Sequence, residues 1–180
     1  MSPQSRAAYL AGFMDGEGSF SIVKTHQITK RKDGTKHKGV RYHLHIKIAN
    51  TNLAVLKWIV EHFGGQISKK KDWSPKWKPR YDWTLTGYGR MEAVILSILP
   101  YLQIKREQSL VALEFARLNG QEVPEKRNEL RNKMLILNDS KQPHSESLTT
   151  NTQDTENDSV KIESELIGDY ESALGVTQAA

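Results

Sequence analysis

Leu10-Ala11-Gly12-Phe13-Met14-Asp15-Gly16-Glu17-Gly18 decides how the rest of the chain is read. It passes from an apolar helical segment into two acids separated by glycine, and a strand-like run from Phe20 to Val23 follows. Ser2 suits an N-cap and Pro3 a first helical position, so the pattern predicts a helix from about Pro3 to Asp15. Gly12 and Gly16 lie four apart, on one face of that helix. Each glycine costs a helix about 1 kcal/mol relative to alanine. Two on one face call for a compensating contact, and close approach by a second, similar helix supplies one. Glu17 then stands at the helix end, where paired helices bring carboxylates together. Carboxylates gathered in a cleft bind hard divalent cations such as Mg²⁺. The plainer alternative is an amphipathic helix that happens to end at glycines.

Outward from this stretch, Gly18 to about Thr29 reads as a strand. Arg31-Lys32-Asp33-Gly34-Thr35-Lys36 is a polar turn with the Asp-Gly hairpin signal. In the return strand, Tyr42, Leu44, Ile46 and Ile48 alternate with Arg41, His43, His45 and Lys47, giving one apolar face and one basic, polar face. Asn52 to Phe63 reads as a helix with an apolar stripe of Leu53, Leu56, Ile59, Val60 and Phe63, stopped by Gly64-Gly65. A second unit repeats the order: a short strand from Gln66 to Lys71, a Trp-, Lys- and Pro-rich loop to Pro79, and a return strand from Arg80 to Thr86. In that strand Tyr81, Trp83 and Leu85 should point inward, with Arg80, Asp82, Thr84 and Thr86 opposite. Helices follow at about Tyr88–Leu99, Lys105–Leu118 and Glu125–Asn138. The expected class is α+β, with element order αββαββα and extra C-terminal helices.

The net charge of +5 hides an asymmetry. Residues 1–141 carry 25 Lys and Arg against 13 acids, whereas residues 142–180 carry one Lys against eight acids. The positive charge concentrates between Phe20 and Thr86, with 15 Lys and Arg against four acids. A basic body points to a polyanionic partner. From Gln142 onward Ser, Thr, Asn, Asp and Glu dominate, the composition of a disordered, acidic tail. Within it, Val160 to Leu174 could form a short acidic helix. The reading therefore divides the chain into a domain over 1–141 and a tail over 142–180. The absence of cysteine removes disulfides and Cys-ligated zinc from consideration. No apolar run is long enough to span a membrane, and Gln4 and Arg6 sit where a signal peptide's apolar region would begin. The expectation is a soluble, intracellular protein, in a bacterial cytoplasm or an organelle matrix, with no membrane partner and no small-molecule substrate.

The nine residues from Leu10 to Gly18 resemble the LAGLIDADG signature of homing endonucleases, and the resemblance extends over roughly residues 5–141. It implies four strands in a curved antiparallel sheet. The similarity is to the compact single-motif group, which works as homodimers. One copy of the signature occurs here, so two chains would be needed to complete a site with two carboxylates. The implied interface residues are Gly12, Phe13 and Gly16. The implied activity is hydrolysis of both strands of a long, partly palindromic DNA duplex, assisted by Mg²⁺ or another divalent cation such as Mn²⁺. The resemblance also implies an intron-encoded protein. It makes Glu17 the metal carboxylate and the Gly16 carbonyl a second ligand. Asp15 is not the equivalent acid and reads as a helix-end residue near the interface. Lys105 matches a basic residue near the scissile phosphate. Asn52 matches a polar position that helps hold solvent, with Asn50 the alternative if the register differs. One departure stands out: the second basic residue expected in the family aligns with Leu56, and the adjacent Lys57 should face elsewhere.

For a duplex partner, the charged sheet side would carry Lys24, Arg41, His43, His45, Lys47, Arg80 and Thr84. Loops and edges would add Lys30, Arg31, Lys32, Lys36, Lys38, Lys69, Lys70, Lys71, Lys76 and Lys78. Lysines mainly neutralise phosphates. Base edges call for shorter or planar polar groups, which makes Gln27, Arg41, His43, His45, Ser68, Arg80, Asp82 and Thr84 the candidates. A one-residue register slip would invert that assignment. His43 and His45 read as exposed strand residues rather than metal ligands, because no third ligand stands nearby. Trp73 and Trp77 could stack on bases or pack under their loop. Ser140 and Lys141 resemble a C-terminal segment that meets the DNA backbone. A second reading of the whole chain is a non-cleaving nucleic-acid binder on the same fold, an RNA maturase or a transcription regulator.

Overall fold

Ser2 opens the first helix: its hydroxyl accepts the Ser5 N–H at 3.1 Å, and Pro3 occupies the first turn, where its missing N–H costs nothing. The computed structural model describes residues 1–30, 34–71, 76, 78–119, 121 and 123–139. Helix α1 spans Pro3–Glu17, two residues beyond the expected end, and stops where Gly18 turns extended and donates its N–H to the Met14 carbonyl. Its buried face is Ala7, Leu10, Ala11 and Met14.

Strands β1 (Gly18–Lys30) and β2 (Lys36–Asn50) form a long antiparallel ribbon. Helix α2 (Leu53–Phe63) follows, then the short strands β3 (Gln66–Lys69) and β4 (Tyr81–Leu85). The sheet order is β1-β2-β4-β3, antiparallel throughout. Helix α3 (Tyr88–Ile98), a 3-10 turn over Leu99–Tyr101, α4 (Arg106–Arg117) and α5 (Pro124–Leu137) complete the described elements. The expected order αββαββα with added helices is thus observed. The residual helix suggested at Val160–Leu174 lies outside the described residues.

Register settles which side chains share a face. Phe20 pairs with Ile46 and Ile22 with Leu44, while Ile46 and Ile48 pair with Leu85 and Trp83. These residues are buried and face the helices, together with Leu10, Met14, Ile95 and Phe115. The four strands therefore present one dry side to a helical layer and one polar side to solvent, because side chains alternate along a strand. Two hydrogen bonds tie α5 to the ribbon: the Tyr42 hydroxyl donates to Asn128 Oδ1, and Asn138 Nδ2 donates to the Phe20 carbonyl, each at 2.9 Å.

Gly64 and Gly65 end α2 as expected, and both have positive φ (76° and 89°). A Cβ on Gly65 would lie 2.6 Å from Trp83 Nε1, and that nitrogen donates to the Gly64 carbonyl at 2.8 Å. The glycine pair is therefore required twice, for its backbone conformation and for the close approach of the fully buried Trp83. Among the described residues, no helix is long and apolar enough to cross a membrane.

Candidate active site and nucleic-acid interface

The end of α1 holds two carboxylates in different situations. Asp15 is engaged: its oxygens accept the backbone N–H groups of Gln103 (2.8 Å) and Lys105 (2.9 Å). Glu17 is exposed, and among the described residues none pairs with its carboxylate. This agrees with reading Asp15 as structural. The Lys105 ammonium donates to the Asp15 main-chain carbonyl, so Asp15, Gly16, Glu17 and Lys105 come together at one helix end. The last carbonyls of a helix lack partners within it, which leaves the Gly16 oxygen available beside the free acid.

The other proposed solvent-holding residue is differently placed. Gly18 pairs with Ile48, so β2 runs past the start of β1 to end at Asn50, still paired with β4, and Asn52 follows at the same end as Glu17. Asn52, however, is the N-cap of α2: its Oδ1 accepts the N–H groups of Ala54 (3.0 Å) and Val55 (3.4 Å). Asn50 Oδ1 in turn accepts the Asn52 N–H at 2.8 Å. Each asparagine keeps its side-chain NH₂ as a donor, while each carbonyl oxygen is already engaged. Leu56, where the resemblance implies a basic residue, is fully buried, and Lys57 is exposed on another side of α2.

Gly12 and Gly16 are both exposed, and a Cβ built on either meets nothing within 4 Å. The protomer itself gives no reason for a glycine at these points. Phe13 is half-buried beside them and stacks on Tyr9 (6.1 Å between ring centroids), which makes an edge contact with Trp58 of α2 (5.0 Å).

On the solvent side of the sheet, register brings together Gln27, Arg41, His43, His45 and Lys47 of the ribbon with Ser68, Asp82 and Thr84 of the short strands. Lys24 does not belong there. It pairs with Tyr42, on the helix side, and its ammonium lies 5.8 Å from the Tyr42 ring centroid. The alternation set by Phe20 and Ile22 carries Lys24 to their face. Lys38 likewise pairs with Ile28 and takes helix-side parity, although exposed, and Lys30 and Lys36 face each other at the mouth of the hairpin.

Asp82 also departs from expectation. It is 7% exposed and forms ion pairs with Lys70 (3.1 Å) and Arg80 (3.5 Å). Its charge is therefore balanced within the protein, and its effect is to gather two cations rather than to present an acceptor to a base. Lys69, Lys71, Lys76 and Lys78 are exposed along the β3–β4 side. Arg31, Lys32, Trp73, Trp77, Ser140 and Lys141 lie outside the described residues. The same register adds Ser19, Ser21, Val23, Thr25 and Gln66 to the outer face, residues that the charge pattern overlooked. Their signal was the alternation itself, since each sits at the odd or paired position opposite a candidate already named.

Partial burial, with the cations of Lys47 and the neighbouring His43, holds the His45 imidazole below its ordinary value of 6.5. A neutral imidazole offers one donor and one acceptor, which suits a base edge better than a phosphate. No cluster of three or more His, Cys, Asp or Glu side chains capable of holding a metal occurs among the described residues. Mg²⁺ does not demand one: it keeps waters and takes one or two carboxylates plus phosphate oxygens. Glu17 with the Gly16 carbonyl fits that requirement, provided that nucleic acid and a second carboxylate complete it.

Residues 10–109 match the profile of the LAGLIDADG endonuclease family. The DNA endonuclease I-CvuI of Chlorella vulgaris is 28% identical over 115 residues, covering 63% of this chain and 65% of the relative. The match thus spans just under two thirds of that relative's length. Among solved structures, the homing endonuclease I-CvuI in complex with its target in the presence of Ca superposes with a TM-score of 0.58 at 24% identity, covering 79% of this chain and 88% of the other. An archaeal intron-encoded homing endonuclease complexed with DNA gives a TM-score of 0.57 at 21% identity, covering 92% and 98%. The meganuclease I-SmaMI bound to uncleaveable DNA gives 0.53 at 21%, covering 74% of this chain but 45% of its own. At these identities the structural likenesses establish the four-stranded fold. The profile match extends over more than half of the sequence and includes the second half of α1, with Glu17. On that match, the chain belongs to the LAGLIDADG endonuclease family.

Proposed function

We propose that this chain is a homodimeric, divalent-metal-dependent endonuclease that cuts both strands of a long, partly palindromic DNA site, and that it is an intron-encoded homing enzyme. The observation that carries the reading is the end of α1, where Glu17 is free and exposed while Asp15, two residues earlier, is fully engaged. Glu17 and the Gly16 carbonyl would hold a divalent cation, with Mg²⁺ the expected ion and Mn²⁺ an acceptable substitute. When bound, such an ion lowers the pKa of water and stabilises the departing oxygen. Lys105 offsets charge building on the phosphate. Asn52 or Asn50 holds solvent through its amide donors. The outer sheet face binds the duplex, with Lys47 and the exposed lysines on phosphates, and Arg41, His43, His45, Gln27, Ser68 and Thr84 toward base edges.

The bare surface over Gly12 and Gly16 supports the dimer. An exposed helix face carrying two glycines gains nothing in an isolated protomer, whereas a second α1 crossing there would use the space and bring a second Glu17 alongside. Compartment follows from this reading only as far as an interior that contains DNA, either a bacterial cytoplasm or an organelle matrix.

The test is cleavage of a randomised duplex library with Mg²⁺, comparing the native chain with Glu17→Gln. Cuts that require both the ion and Glu17 would establish the enzyme and identify its site. A second reading, a DNA or RNA binder that does not cut, draws support from the buried Leu56, which leaves that point without a cation. Salt-sensitive binding by both proteins, with cleavage by neither, would decide for the binder.

A further inference from the structure

Helix α1 ends against its own electrostatics. The C-terminal end of a helix is electronegative and favours cations, yet its final residues are Asp15, Gly16 and Glu17, with no basic residue in the last turn. The compensation comes from a segment ninety residues away in sequence. Asp15 Oδ2 accepts the Gln103 N–H, Oδ1 accepts the Lys105 N–H, and the Lys105 ammonium returns to the Asp15 main-chain carbonyl. A single residue therefore grips both the backbone and the side-chain tip of Lys105. The intervening Ile104 is 72% exposed, so core packing does not hold this bend, while Leu102 just before it is buried at 2% exposure. Between that anchor and the start of α4 at Arg106, the Asp15 carboxylate fixes the path of the chain.

We infer that Asp15 is a positioning residue for catalysis: it sets the ammonium of Lys105 at a fixed place beside Glu17, and it acts through Lys105 alone. This rests on the endonuclease reading above. Two groups that must meet one phosphate need their separation fixed, because small misplacements of reacting groups are costly. The Asp15 clamp supplies that fixed separation by joining the helix that carries the acid to the loop that carries the cation. Its carboxylate is unavailable to a metal for the same reason.

The experiment is a double-mutant cycle in the full-length chain, using the library-selected duplex under single-turnover conditions with Mg²⁺. Duplex affinity is measured with Ca²⁺, and melting is followed in parallel. Asp15→Asn keeps the shape but removes one acceptor, so one of the two N–H groups loses its partner. The expected loss in cleavage rate is about 10²-fold for Asp15→Asn and about 10²-fold or more for Lys105→Gln, with affinity unchanged. The double variant should fall within about threefold of Lys105→Gln, because the two substitutions remove one shared function. Losses that multiply would overturn the inference, as would an Asp15→Asn rate equal to the native rate. If the native chain itself cuts nothing, the endonuclease reading fails before any substitution is compared, and the catalytic role of Asp15 fails with it. If Asp15→Asn does not fold, amide exchange in the native chain decides the matter. The Gln103 and Lys105 N–H protons should exchange at least about tenfold more slowly than that of exposed Ile104, and equal rates for all three would remove the clamp.

Discussion

The end of α1 and the outer face of the sheet use charge in opposite ways. At the helix end Asp15 and Lys105 are locked to each other and to backbone, and Glu17 alone is left free. On the sheet the side chains repeat at every second position, and Asp82 with Lys70 and Arg80 is the main internally balanced group among the described residues. A fixed constellation suits chemistry, which fails if one member shifts. A periodic surface suits recognition, where each contact adds a modest increment and can be exchanged without disturbing its neighbours.

The largest expected effect tests the helix end. Glu17→Gln should lower the cleavage rate by at least about 10³-fold while leaving duplex affinity in Ca²⁺ within about twofold, since an exposed acid near phosphates does not favour binding. A proportional fall in affinity would place Glu17 with the recognition surface and erase the contrast. Next comes Gly12→Ala. In an isolated protomer it should stabilise α1 by up to about 1 kcal/mol, because its Cβ meets nothing. In the proposed dimer it should raise the dissociation constant about tenfold, or about 1.4 kcal/mol. Sedimentation and thermal melting separate the two, and a more stable protein with unchanged association would exclude α1 as the interface.

On the sheet, Lys47→Ala should weaken all duplexes alike and reduce the salt slope of binding by about one, whereas Arg41→Ala should relax selectivity at one base position by about 1–3 kcal/mol. If both change only the slope, the outer face serves phosphates alone. The smallest effect concerns His45. Its folded pKa is lowered by burial and by the nearby Lys47 and His43, so the folded state resists protonation. Its contribution is present above the unfolded value near 6.5 and is lost as pH falls through the folded value. Melting temperatures of the native chain and His45→Gln should diverge at neutral pH and converge in mild acid. Parallel curves would show that His45 is not held neutral.

Element order and the two-faced sheet were legible because alternation in Tyr42 to Ile48 and the glycine stops at 64–65 are local signals. The face of Lys24 is equally legible from its even spacing after Phe20 and Ile22, although its charge points to the opposite face. The ion pairs of Asp82 were hidden for a different reason: they come from Lys70, just past the end of β3, and from Arg80, and sequence spacing does not reveal such pairs before the register is known. The Asp15 clamp was beyond reach for a stronger version of the same reason, since it joins residues ninety positions apart. Asn52 had two compatible readings in the sequence, and its N-cap hydrogen bonds show that a helix start was one of them.

The β1–β2 ribbon has a metric consequence. A strand rises about 3.4 Å per residue, and base pairs in a duplex are stacked about 3.4 Å apart. Laid along a groove, outward side chains on one strand therefore fall two base-pair steps apart, and β1, at 13 residues, measures out about a dozen steps. A ruler with this pitch samples its text rather than spelling it, and leaves alternate positions to neighbouring strands or to none. In the proposed homing enzyme, that sparse reading would let the target drift at unread positions without closing the site to it.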